Sequence, residues 1–271
     1  MGDFRGLVRA SARGADELCK IVGPGCPYTL PVGGKPLIAH AVKALCDAGA
    51  REILVAVDAS IAEAVVPAIG ELTLAEIHVA LQPEHDDDAT VRAVDKVLGP
   101  GPLIFTAGDA LAVEGAHAPA DPADDVVFEL EAAWRYDGTV DGVLEANTIA
   151  LDGLKRGRVG VDLSNATVQG RVQIDPSAEL AGAKLRGPVF IGPGARLIET
   201  YVGPYTTIGA GVTLEGVEIE HSIVLPGAQI RYPGRRLEAS LVGEGAQIGR
   251  DFSLPAALRL RVGPGSQIQL S

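Results

Sequence analysis

Five short stretches hold the side chains that could do chemistry. TAGDA (106–110) closes an apolar run on Asp109, and a carboxylate at a strand end could bind Mg²⁺. WRYDG (134–138) sets Tyr136 beside Asp137. LPVGGKPL (30–37) carries Gly33-Gly34-Lys35, a turn and a cation that could contact phosphate. Gln82 precedes the acidic run EHDDDATV (84–91). His221 stands in EIEHSIVL, where a histidine could act as the general base of an acyl transfer.

Each stretch also has a plainer use. Asp109 alone serves readily to cap its strand's loop, because Mg²⁺ usually takes more than one carboxylate or a phosphate. His85, Asp86, Asp87 and Asp88 are consecutive and cannot all face one ion, so they read as a solvated acidic loop. Gly33, Gly34 and Lys35 fit a turn before a helix equally well. Trp134, Tyr136 and Tyr201 could line a pocket, but packing at a domain junction is the commoner use of such rings. Cys19 and Cys26 flank a Gly-Pro-Gly loop with Lys20 as the basic neighbour, which favours a passive role over a reactive thiol.

The elements that must position these residues fall into two textures. In the first half, Gly6-Leu7-Val8 is short and weakly strand-like, and Pro36 to Asp47 has apolar residues at helical spacing. EILVAV (52–57) is a continuous apolar run, as a buried parallel strand requires. A helix over 62–69, a strand over 76–81, a helix over 90–98 and a buried strand over 102–107 follow. This alternation predicts a right-handed, Rossmann-like parallel α/β sheet whose ligands meet the carboxyl ends of the strands. Residues 110–125 are rich in Ala, Pro and Asp and read as a loop, and 140–154 read as a helix leading out.

The second half repeats. Ile174, Ile191, Ile208, Leu225 and Val242 share one interval, as do Leu163, Leu180, Leu197 and Leu214, and Val168, Leu185, Val202 and Ile219. Three short strands per coil, each with one inward aliphatic, predict a triangular parallel β-helix. Gly and Pro after the inward residues let the chain turn its corners. The expected division is an α/β domain over 1–133, a connecting helix over 134–156 and a β-helix over 157–271 with an irregular cap.

Bulk properties narrow the function. The net charge of −12 makes a nucleic-acid backbone a poor partner. No apolar run is long enough to span a membrane, and the first residues do not resemble a secretory signal. Three cysteines without a CxxC pair fit reduced thiols in a cytoplasm better than a disulfide framework. Flat solenoid faces favour a homo-oligomer.

LPVGGKPL, WRYDGTVDGVLEAN (134–147), GPVFIGPGARLIETYVGPYTTIG (187–209) and EIEHSIVLPGA (218–228) together resemble the long form of glucose-1-phosphate thymidylyltransferase. That family joins a sugar-1-phosphate nucleotidyltransferase domain to a left-handed parallel β-helix. The resemblance implies a sugar phosphate or nucleotide as ligand and Mg²⁺ as the candidate cofactor. It places the family's first metal carboxylate on Asp109 and its second on Tyr136, with Asp137 as neighbour. Gln82 matches a base-reading residue. The family's glycine-rich phosphate turn falls on 11–16, where Gly14 is the remaining glycine and Asp16 replaces an arginine. Its catalytic lysine falls near Pro27, and its sugar-contacting turn falls on the acidic run that includes Asp86. Nucleotidyl transfer depends on neutralising phosphate charge. The sequence therefore predicts a shortened, degenerate homologue that has lost transfer and binds a sugar nucleotide or supports a partner. Three alternatives stand beside it: an enzyme recruited to other chemistry near Asp109, Asp86 and Tyr136, an active thymidylyltransferase, and an acyltransferase using His221.

Overall fold

The structure is a computed structural model and describes residues 4–12, 17–70, 75–82, 87–116, 127–155 and 161–250. The first half contains β1 (Phe4–Ala10), α1 (Glu17–Val22), β2 (Pro31–Val32), β3 (Lys35–Pro36), α2 (Leu37–Asp47), β4 (Ala50–Asp58) and α3 (Ala62–Gly70). It continues with β5 (Glu76–Gln82), α4 (Asp87–Leu98), β6 (Leu103–Ala107), β7 (Ala110–Ala112), β8 (Val127–Glu129), β9 (Ala132–Arg135) and α5 (Val140–Asp152).

Strands β5-β4-β1-β6-β8 form one parallel sheet in that order, which is Rossmann-like. Alternate residues of its central strands face opposite layers, as the pleat dictates. Val8, Ile53, Val55 and Val57 pack with Ile38, Val42 and Leu45 of α2 and with Val65 and Ile69 of α3. Leu7, Leu54, Ala56 and Leu103 pack with Val94 of α4 on the other side. Strand β1, weak in its sequence, is therefore the buried centre of the sheet.

Of the stretch expected to be a loop, 110–125, the first three residues form β7, and 117–125 lie outside the described residues. Strands β7 and β9 pair antiparallel, Ala110 opposite Arg135 and Leu111 opposite Trp134, and β8 extends the main sheet. Strands β2 and β3 form a two-residue ladder that also escaped the periodicity.

The second half winds through β10 (Ala166–Gln169), β11 (Val172–Ile174), β12 (Glu179–Ala181), β13 (Ala183–Arg186), β14 (Val189–Ile191), β15 (Arg196–Ile198), β16 (Tyr201–Val202) and β17 (Thr206–Ile208). It goes on through β18 (Thr213–Glu215), β19 (Glu218–Glu220), β20 (Ile223–Val224), β21 (Gln229–Arg231), β22 (Leu237–Glu238), β23 (Leu241–Val242) and β24 (Gln247–Gly249). Every third strand joins the same parallel sheet, giving three five-stranded sheets around one aliphatic core, as in a parallel β-helix.

The ladder departs from the predicted constant interval at two places, a shortened corner at His221 and a lengthened one between Ile230 and Leu237, so that Val242 pairs with Val224. Ile208 pairs with Val224, not Leu225, because the corner at His221 is one residue shorter than the equivalent corner at Tyr205 in the preceding coil. Val224 therefore enters the β-helix core, and Leu225 turns to a separate cluster with Leu30, Leu37, Trp134 and Val143. Among the described residues, no helix is long and apolar enough to cross a membrane.

Candidate functional site

Strands β1, β4 and β6 end side by side, and their carboxyl edge holds two buried carboxylates. Asp58 closes β4 and accepts a hydrogen bond from the Ala12 backbone N–H at 2.6 Å. Tyr28 donates its hydroxyl to the Ser11 carbonyl at 2.8 Å, so the turn after β1 is held from two sides. Gly108 passes between Arg9 and Tyr28: its N–H donates to the Arg9 carbonyl at 2.9 Å, and a Cβ there would lie 3.1 Å from both that oxygen and the Tyr28 ring. Asp109 follows, buried, and its carbonyl accepts from the Tyr136 N–H at 3.0 Å. The β7–β9 pairing thus brings Asp109 and Tyr136 together across the sequence.

The Tyr136 hydroxyl lies near two sulfurs. It lies buried, 3.7 Å from Cys19 Sγ and 3.8 Å from Cys26 Sγ, with its ring edge-on to Trp134. Cys19 and Cys26 are joined as a disulfide with Cα atoms 5.3 Å apart, which corrects the expectation of three reduced thiols. The reason is local: the Gly-Pro-Gly reversal returns the chain to α1. Cys46 on α2 is free, with its thiol pushed up by burial and by Asp47. Asp137 is exposed, and its Oδ1 accepts from the Thr139 N–H and hydroxyl, both at 2.9 Å. Thr139 in turn caps α5 by accepting from the Gly142 N–H at 2.9 Å. Among the described residues, no group of three or more His, Cys, Asp or Glu side chains comes together as a metal-binding cluster.

The remaining candidates are dispersed. Gly14, His85 and Asp86 lie outside the described residues, and so does the side chain of Gln82 at the end of β5. Lys35 is exposed on β3. His221 is an exposed corner residue of the β-helix at φ 47°, its ring centroid 5.3 Å from that of Tyr205. Tyr201 lies on another face of the β-helix, beneath the Arg236 guanidinium at 5.9 Å.

Two residues to which the sequence assigned no role organise the surroundings. Asp58 is one. The other is Asn147, fully buried on α5. Its Oδ1 accepts from the Gly33 N–H at 2.9 Å and from the Thr207 hydroxyl at 2.7 Å, and its amide donates to the Tyr205 carbonyl at 3.0 Å. It joins the Gly33-Gly34-Lys35 turn to the β-helix. The available signal was a lone amide within the apolar stripe of Val143, Ala146 and Leu151. Nearby, the His40 Nε2 lies 2.8 Å from the Val32 carbonyl, and burial foremost lowers its pKa.

Comparison with known proteins gives these features a context. The chain is similar to nucleotidyltransferases. It is 42% identical over 144 residues to the low-salt glycan biosynthesis nucleotidyltransferase Agl11 of Haloferax volcanii, covering 52% of this chain and 40% of that protein. It is 36% identical over 138 residues to a glucose-1-phosphate thymidylyltransferase of Streptomyces griseus, covering 51% of this chain and 39% of that one. A protein of the same name from Streptomyces antibioticus is 30% identical over 154 residues, covering 57% and 43%. The matched segments thus span about two fifths of those relatives' lengths, 39% to 43%. No protein-family model matches the chain.

Proposed function

We propose that this protein is a degenerate sugar-1-phosphate nucleotidyltransferase homologue that has lost nucleotidyl transfer and binds a sugar nucleotide or supports a partner enzyme. The observation that carries the proposal is the Asp58–Ala12 hydrogen bond. In a nucleotide-binding turn, backbone N–H groups are left open for phosphate oxygens. Here the Ala12 N–H is already taken by a carboxylate of this chain. A phosphate at contact distance from that carboxylate meets repulsion of about 1 kcal/mol per charge pair in water and about 4 kcal/mol at a protein surface. Tyr136 adds to this, since it directs a phenol toward sulfur where the resemblance places a metal carboxylate.

The proposal extends to left-handed winding of the β-helix, to assembly as a homo-oligomer and to a cytoplasmic setting. Its test is direct. The full chain is incubated with dTTP, glucose 1-phosphate and Mg²⁺, and pyrophosphate release is followed. The expected rate equals that of the protein-free control. A turnover on the order of 1 s⁻¹, ordinary for an enzyme, would overturn the loss of transfer. A thermal-shift series with sugar nucleotides checks the binding half: a shift that saturates supports it, and no shift at millimolar ligand removes it in favour of the partner role.

A further inference from the structure

The chain between α1 and β2 reverses tightly. Gly23 donates its N–H to the Cys19 carbonyl at 2.9 Å. Gly25, at φ 79°, passes so close to its neighbours that a Cβ would lie 2.8 Å from Ala64 Cβ and from Thr29 Cγ2. The reversal lays Cys26 against Cys19 and then presents Tyr28, whose hydroxyl holds the Ser11 carbonyl. Ser11 is next to Ala12, the residue that Asp58 grips. On its other side α1 leans on the β-helix: Leu18, Cys19 and Val22 cluster with Ile223, Leu225 and Leu241. One bond between two sulfurs therefore fastens the reversal, the turn after β1 and the domain junction together.

We propose that Cys19 and Cys26 form a thiol–disulfide exchange site whose state sets how firmly this reversal and the turn after β1 are held. The co-reactant is a low-molecular-weight disulfide. Cys19 is half-buried and Cys26 buried, so exchange begins at Cys19. The Cys19 thiolate attacks the small disulfide, one small thiolate leaves, and a mixed disulfide remains. The Cys26 thiolate then attacks Cys19 Sγ and expels the second small thiolate. The protein pair loses two electrons and two protons, and the small disulfide takes them up as two thiols. The Tyr136 hydroxyl, near both sulfurs, is placed to hydrogen-bond a thiolate in either step. In a thiol-rich compartment a pair of this kind cycles instead of remaining closed. Cys46, a free cysteine outside the pair, is an internal control.

The test uses the full chain equilibrated in glutathione buffers of graded oxidation, quenched with an alkylating agent and read by peptide mass. Cys19 and Cys26 are expected to lose and regain label together, while Cys46 is labelled throughout. On the same samples, amide hydrogen exchange at 11–12 and 23–30 is expected to be roughly 10- to 70-fold faster in the reduced protein, the effect of opening a ring this small. The Cys19→Ser/Cys26→Ser double variant should exchange at the reduced rate in every buffer, and Cys46→Ser should behave as the unaltered protein. Full labelling of Cys19 and Cys26 in oxidising buffer, or exchange rates indifferent to reduction, would overturn the proposal. Neither readout involves a nucleotide, so this result and that of the transfer assay stand apart.

Discussion

Replacing Asn147 by Ala tests whether the α/β half and the β-helix share one structure. The side chain satisfies two buried groups, the Gly33 N–H and the Thr207 hydroxyl, and one half-buried group, the Tyr205 carbonyl. Each unsatisfied buried group costs about 1–3 kcal/mol. The small cavity left by Ala can admit a water that repairs part of the loss. The net expectation is about 3–5 kcal/mol, a large share of the roughly 5–15 kcal/mol that holds a domain folded. Urea denaturation is the assay, followed by the fluorescence of Trp134, the single tryptophan, which packs in the same junction cluster as Val143 and Ala146. Asn147→Asp sharpens the test. It keeps an acceptor for Gly33 and Thr207 but turns a second oxygen toward the Tyr205 carbonyl. Its deficit relative to the unaltered protein should shrink as pH falls toward about 4, where the carboxyl gains a proton and can donate. An Ala variant within about 1 kcal/mol of the parent would refute the reasoning, because that is the net value of one ordinary hydrogen bond.

Two further outcomes follow from the same junction. Gly34 sits at φ 83° with a would-be Cβ 2.4 Å from the Phe190 ring, so Gly34→Ala should cost roughly 2–4 kcal/mol in urea denaturation, and adding Phe190→Ala should recover part of it. His40 has its pKa lowered from 6.5 by burial, so the unfolded chain takes up the proton first. Its contribution is neutral at high pH and becomes destabilising as pH falls below that value, and His40→Gln should flatten the acid limb of a melting-temperature profile.

What could be read from the sequence differed by element for physical reasons. The β-helix was legible because each coil repeats the same demand, one aliphatic per side, so Ile174, Ile191 and Ile208 mark their own register. The reading slipped at Leu225, where the shortened corner at His221 moves the core position to Val224. A constant interval cannot reveal a one-residue deletion when the residue beside the true position is also aliphatic. Strands β4 and β6 were legible as apolar runs, whereas β7 and β9 are too short for any period to show. In the candidate site, Asp109 and Tyr136 were recognisable by their motifs. The roles of Asp58 and of Asn147, the last residue of the second motif, were not, since they come from partners 46 and 60 positions away.

The three sides of the β-helix are chemically unequal, and the inequality bears on how the site is held. Outward positions on one sheet are charged, including Lys184, Arg186 and Glu218, and those on a second form ladders such as Glu179–Arg196 and Glu215–Arg231. Such exposed pairs contribute about 0–1 kcal/mol each and leave these sides solvated. On the third sheet the residues alternating with the core positions are Gln173 on the first strand and then Phe190, Thr207, Ile223 and Leu241. Phe190 lies against Gly34, Thr207 bonds Asn147, and Ile223 and Leu241 pack with Leu18 and Trp134. These are also the neighbours of Tyr136 and the disulfide. Detaching the β-helix would bare that face to water and remove the support under α1, β2 and α5 at once. The β-helix is therefore a wall of the candidate site, and changes made on its third face are expected to reach Asp109 and Tyr136 through the shared core.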